Sequence, residues 1–306
     1  MITVPFYSGP GKGGINPMDS FIEILKAILQ GIVQGITEWL PISSTGHMIL
    51  LNEFLPFSLS ADPVRNQAFF DVFKVLVQLG SILAVLVLFF RKLNPFSRKK
   101  SPLERRDTFS LWGKVLIASI PAGIVGILLN DFIDEKMSLP AVIAAALILY
   151  GVLFIWMESR HKEPRIHNFK ELDYKTVLLI GVFQMLALIP GTSRSGSTIL
   201  GAVLLGTSRY VAAEFSFFMA IPVMVGASGV KLWGFLKDGM SFTGLEWTVL
   251  LTGMAVAFLV SLLVIRFLMN FIKKHDFKPF GYYRIALGMV IILLLCTGLL
   301  QNTSAG

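Results

Sequence analysis

Apolar runs close to twenty residues long recur along this 306-residue chain, as from Leu139 to Trp156, and a run of that length with almost no charge is suited to cross a lipid bilayer. The runs do not alternate with period two, so they read as helices rather than as strands of a barrel. A composition of 54% hydrophobic and 15% charged residues, with mean hydropathy +0.71, leaves too little polar surface for a soluble domain of this size. The chain therefore reads as an all-α polytopic membrane protein, a single integral membrane domain over 18–306. The single cysteine, Cys296, lies in the last run and excludes an intramolecular disulfide. Residues 1–17, rich in Gly and Pro and lacking the apolar core of a signal peptide, read as a flexible extension or cloning remnant.

About six full spans are expected, at roughly 70–91, 111–129, 139–158, 209–232, 246–270 and 281–300. Two further apolar regions, roughly 20–56 and 175–207, are each interrupted by a polar segment. Their halves are short or carry Pro and Gly at the inner end, the pattern of a re-entrant helix pair. The loop Arg91 to Asp107 carries seven Lys and Arg against Glu104 and Asp107, Arg160 to Lys175 is again basic, and Lys273, Lys274 and Lys278 cluster together. Basic loops mark the cytoplasmic side. All three fall on one side only if both broken regions return to the side they started from, which leaves both chain ends outside. The net charge of +8 is then mainly an orientation signal, with attraction to anionic headgroups second. It gives no separate support to nucleic-acid binding.

Shifting the chain by 150 positions superposes Gly31 on Gly181, Gln34 on Gln184, Ser43 on Ser193, Gly46 on Gly196 and Ile49-Leu50 on Ile199-Leu200. The chain thus reads as a repeat, about 18–158 and 159–306. With the loop charges above, the two broken regions enter from opposite sides, so the repeat is inverted and its tips meet near the membrane midplane.

The interruptions carry the chemistry, because ionisable groups at membrane depth are costly. In the first, Gln34 and Glu38 are four apart on one helix face, and Gly35 admits another backbone closely. A carboxylate and an amide facing inward suit a hard cation or an oriented water. Pro41 stops the helix, Ser43, Ser44 and Thr45 can cap the next one, and His47 stands three residues after Ser44, a spacing compatible with a nucleophile and its acid-base partner. The plainer reading is that the hydroxyls only cap and His47 bonds a nearby carbonyl. In the second, Arg194 sits among Ser193, Ser195, Ser197 and Thr198, with Gly191 and Gly196 freeing the backbone. Guanidinium, hydroxyls and a helix starting near Ser197 compose a phosphate cradle. The plainer reading there is an ion pair between Arg194 and Glu38 or Glu214. His161, His167 and His275 lie in basic loops and read as solvated.

These two motifs together resemble the undecaprenyl-diphosphate phosphatases of the bacitracin-resistance (BacA/UppP) family. Its first motif is Glu or Gln, three residues, Glu, found here at Gln34 to Glu38. Its second is Pro-Gly-x-Ser-Arg-Ser-x-x-Thr, found at Pro190 to Thr198. The similarity extends over Leu40 to His47, Val77 to Val85, Ser208 to Tyr210 and Ala213 to Ser216, essentially from Met18 onward. The resemblance implies hydrolysis of a C55 polyprenyl diphosphate to the monophosphate at the outer side of the bacterial cytoplasmic membrane. That reaction recycles the lipid carrier of cell-wall synthesis and underlies bacitracin resistance. It also implies a divalent cation, Mg2+ or Ca2+, served by Glu38 and Gln34. Ser44 and His47 would be nucleophile and acid-base partner, while Ser193, Arg194, Ser195 and Thr198 hold the phosphates. Many members have Glu in place of Gln34, which points to Glu38 as the essential carboxylate. The oligomeric state is left open, a homodimer included. A secondary transporter or lipid flippase is the rival reading, since inverted repeats with broken helices are also a transporter design.

Overall fold

The computed structural model describes residues 16–137, 139–160 and 162–300, without the side chains of 130–136. The N-terminal extension and His161 therefore lie almost wholly or wholly outside the described residues. Among the described residues eleven α-helices follow one another and there is no strand, only one isolated bridge between Ile166 and Thr207. The helices are α1 (Pro17–Thr37), α2 (Ser44–Phe54), α3 (Pro63–Leu88), the short α4 (Phe90–Leu93), α5 (Pro102–Met137), α6 (Pro140–Ser159), α7 (Tyr174–Met185), α8 (Arg194–Leu204), α9 (Arg209–Lys237), α10 (Gly244–Phe271) and α11 (Lys278–Cys296). Seven of them are long and apolar enough to cross a membrane: α1, α3, α5, α6, α9, α10 and α11. The seventh, beyond the six expected, is α1. Its 21 residues run on unbroken to Thr37, with no proline between Pro17 at its start and Pro41. Helix α5 overruns the expected loop at 130–138, since Asp131 to Met137 contains neither Gly nor Pro and the chain first meets a breaker at Pro140.

The ends of the bundle differ in charge. At one end the three basic segments meet. Lys92 pairs with Glu214 at 2.7 Å, Lys170 with Asp107 at 2.8 Å, and Arg209 with Glu158, which also accepts from the amide of Phe277 at 3.0 Å. At the other, Arg65 bonds Glu246 and the carbonyl of Ser241, and Glu23 accepts from the amide of Ser58. Asp173, in the basic loop, caps α7; the amide of Thr176 bonds its carboxylate and holds its pKa below the usual range.

The interrupted regions form two hairpins, α1–α2 and α7–α8. Each has its outer ends tied together: Lys26 donates to the carbonyl of Pro56, and the amide of Ser208 donates to the carbonyl of Ile166. The first hairpin is tied at the Arg65–Glu246 end and the second at the basic end. Helix α1 packs on α10, as α7 packs on α5; α10 packs on α3, as α5 packs on α9. Close crossings need small residues. A Cβ on Gly35 would lie 2.9 Å from the carbonyl oxygen of Ala257, as the sequence's open position at Gly35 anticipates.

Candidate active site

Helices α2 and α8 begin and end 150 positions apart, at 44 and 194 and at 54 and 204. Each is preceded by a serine in the left-handed region, Ser43 at φ 76° and Ser193 at φ 75°, the only non-glycine positive φ values among the described residues. Each accepts at Oγ from the amide three residues on, Gly46 at 3.4 Å and Gly196 at 3.1 Å. A non-glycine residue held there costs on the order of 1–3 kcal/mol and persists only where its surroundings enforce it. The second helix thus starts at Arg194, not near Ser197. The first helix ends at Thr37, before Pro41, with Glu38 as its C-cap.

The tips of the hairpins interlock. Ser195 Oγ donates to the carbonyls of Glu38 at 3.1 Å and Leu40 at 3.3 Å. Arg284 of α11, fully buried, donates to the carbonyls of Pro41 (2.9 Å) on one tip and Gly191 (2.8 Å) and Thr192 (2.9 Å) on the other. Among the described residues no carboxylate pairs with it, and its partners are carbonyls. Gly191, at φ +91°, lies so close to α6 that a Cβ would stand 2.6 Å from the carbonyl oxygen of Ile143. Only glycine meets both demands.

Within this frame Glu38, 3% exposed, is the hub. Its Oε2 accepts from Ser44 Oγ at 2.6 Å and Gln34 Nε2 at 3.0 Å, and its Oε1 from Arg194 Nη2 at 3.0 Å. Arg194 Nη1 turns to the carbonyl of Ser216 at 2.6 Å and its hydroxyl at 3.2 Å, and the guanidinium lies 5.8 Å from the Trp39 ring. Arg194 Nε is buried with no partner. The pairing foreseen as one alternative is therefore with Glu38, while Glu214 pairs with Lys92. Thr198 bonds Ser216 Oγ at 2.6 Å, and Ser193 bonds Ser195 at 3.2 Å, so both support the loop. Ser197 turns away to the hydroxyl of Tyr150.

Ser44 and His47 share no hydrogen bond. Ser44 belongs to Glu38, and His47 Nδ1 lies 2.6 Å from the carbonyl of Ser43, as the plainer reading of the spacing foresaw. A carbonyl carries no proton, so Nδ1 donates. Nε2, in the neutral ring, then accepts from the Tyr283 hydroxyl at 2.7 Å, with the two rings stacked at 5.7 Å.

Three residues escaped the sequence reading. Ser216 and Tyr283 give no local signal, because their partners are distant in the chain. Arg284 gives one, as a lone guanidinium inside an apolar span, which is a site candidate in its own right. Among the described residues no cluster of three or more His, Cys, Asp or Glu could chelate a metal. Gln34, however, whose Nε2 donates to Glu38, has its Oε1 buried and unpartnered. Two hard oxygen donors fit Mg2+ or Ca2+ where a ligand's own oxygens complete the shell.

Fold and site together define an integral membrane protein that assembles, between two helical hairpins, a buried polar centre around Glu38 and Arg194. A family model described as "Bacitracin resistance protein BacA" matches residues 27–290, and the chain belongs to that family. It is 59% identical over 273 residues to "Undecaprenyl-diphosphatase 1" of Clostridioides difficile, covering 89% of this chain and 96% of that protein. It is 55% identical over 278 residues to "Undecaprenyl-diphosphatase" of Enterococcus faecalis, covering 90% and 98%. Against the protein of that name from Lactiplantibacillus plantarum the identity is 56% over 273 residues, covering 89% and 97%.

Proposed function

We propose that the chain hydrolyses undecaprenyl diphosphate to undecaprenyl monophosphate and inorganic phosphate, returning the carrier lipid of cell-wall synthesis to use. The observation that carries this is the Glu38 carboxylate held between the Ser44 hydroxyl and the Arg194 guanidinium where two hairpin tips meet. Relatives over nearly the whole length bear the name of this activity.

A diphosphate is strongly anionic, and its leaving oxygen gains charge as the P–O bond breaks. Fixed donors in a dry site stabilise that charge far better than water does. Arg194 turns from Glu38 to the substrate's oxygens, and the Arg284 guanidinium, which no carboxylate pairs among the described residues, favours an anion at the junction. Glu38 Oε2 orients the Ser44 hydroxyl and draws on its proton, the setting of an activated nucleophile. His47 Nε2 carries the lone pair that takes up or returns a proton once Tyr283 is displaced. Glu38 and Gln34 Oε1 would hold the cation, which when bound supplies charge neutralisation and Lewis acidity toward phosphoryl oxygens. Ser193, Ser195 and Thr198 keep the loop in shape behind Arg194. In this reading the hairpins are re-entrant halves of an inverted repeat, supported by the matching bounds of α2 and α8 and by their tethers at opposite ends. The basic end faces the cytoplasm of a bacterial inner membrane, supported by the meeting of all three basic segments, and the site is served from the outer side.

The test is phosphate release from farnesyl or undecaprenyl diphosphate in detergent, with and without EDTA, for the parent, Glu38→Ala, His47→Ala and Arg194→Ala. Release that needs the metal and is lost in all three variants is expected. A folded parent that releases no phosphate would bring forward the transporter reading.

A further inference from the structure

We propose that the basic end of the bundle holds a second anion site, separate from the hairpin tips, for a phosphate-bearing headgroup. A cavity of about 620 Å3 opens there, lined by Arg160, Lys162, Arg165, Thr207, Arg209 and Tyr210. It lies at the far end of α8 from Arg194, about 15 Å along that helix, and shares no residue with the candidate active site.

Three independent features aim at an anion. The lining sets four cations against two carboxylates, Glu158 and Glu163, and Glu158 is already taken by Arg209 at 2.9 Å and by the amide of Phe277. Lys162 and Arg165 pair with no carboxylate among the described residues, and Arg160 stacks only on Trp156, at 4.7 Å. The second feature is Thr207, 2% exposed, whose hydroxyl is buried with no partner. An unmet donor under a cationic rim is the hydrogen-bond complement of a phosphate oxygen. The third is the start of α9, a helix of 29 residues: its cap Ser208, which takes the Val211 amide, and its first residues Arg209 and Tyr210 line the cavity, so the positive end of the helix lies at it.

The frame is built to hold these groups still. The amides of Arg165 and Ile166 both donate to the carbonyl of Gly206, at 2.8 and 3.0 Å, and Ile166 bridges Thr207. Gly206, at φ +98°, leaves room for the Arg165 guanidinium, whose Nε would stand 3.2 Å from any Cβ there. Leu204 and Ile272 add apolar wall beside the polar pocket. A phosphate monoester on a lipid fits both parts, and free phosphate fits the polar part alone.

Native mass spectrometry of the detergent-solubilised protein with dioleoyl phosphatidic acid or dioleoyl phosphatidylcholine, and calorimetric titration with inorganic phosphate, separate the two sources. The proteins are the parent, Lys162→Gln/Arg165→Gln, Thr207→Val, and a control Lys273→Gln/Lys274→Gln that removes equal charge outside the cavity. Prenyl diphosphate hydrolysis and circular dichroism report folding of each. We expect phosphatidic acid to be retained over phosphatidylcholine, with affinity about tenfold weaker in the double variant, weakened also by Thr207→Val, and unchanged in the control. Inorganic phosphate binding with the same dependence would name soluble phosphate as the ligand. Equal binding of both anions by the parent and the folded cavity variants, or equal loss in the control, overturns the proposal.

Discussion

Glu38 and Arg284 show how much one buried charge can depend on neighbours far away in the chain. Glu38 gathers three donors, so Glu38→Gln removes the charge that holds Arg194 and Ser44 while keeping the volume. We expect hydrolysis of prenyl diphosphate to fall by roughly 10²–10⁴-fold with normal detergent solubility, measured by phosphate release. Arg284 donates to carbonyls on both tips. In Arg284→Ala those carbonyls lose their donor in a dry interior, at about 1–3 kcal/mol each. The expected result is a markedly lower thermal midpoint in detergent together with lost activity, and Arg284→Lys should recover only part of either, because an ammonium cannot span three acceptors in a fixed fork. Tyr283→Phe leaves the ring stacked on His47 but removes the hydroxyl from Nε2. It should therefore cost less activity than His47→Ala, which a side-by-side rate comparison checks.

At the scale of elements, the two hairpins depend on a serine in left-handed backbone and on a glycine that lets the tip press against α6. Ser193→Ala deletes the cap of α8 and should destabilise by about 1 kcal/mol. Gly191→Ala meets both the positive φ and the Ile143 carbonyl, and should cost several times more in the same unfolding assay. The sequence made both hairpins legible, because Pro, Gly and Ser clusters cannot continue an apolar helix. It misjudged where they bend. The sequence places the start of α8 near Ser197, whereas the helix starts at Arg194 and its cap is Ser193, the residue at positive φ.

For the whole molecule, the proposed orientation rests on the meeting of the three basic segments at one end. Single cysteines placed at Lys99 and at Ser241, in a Cys296→Ser background, should label from opposite sides of sealed vesicles with an impermeant maleimide, Lys99→Cys from the cytoplasmic face. Labelling of both from one side would contradict the topology.

The sequence by itself determined the helical class, six of the seven candidate spans, the basic segments and the two motifs, because hydropathy, helix breakers and charge act locally and leave their mark along the chain. Only the tertiary structure decided that Ser44 serves Glu38 rather than His47, that Arg194 pairs with Glu38 rather than Glu214, and that Arg284 locks the tips. Those choices depend on which groups are left without water once the helices pack. A buried donor or acceptor takes whichever partner the packing brings within hydrogen-bond reach, and that partner need not be near it in sequence.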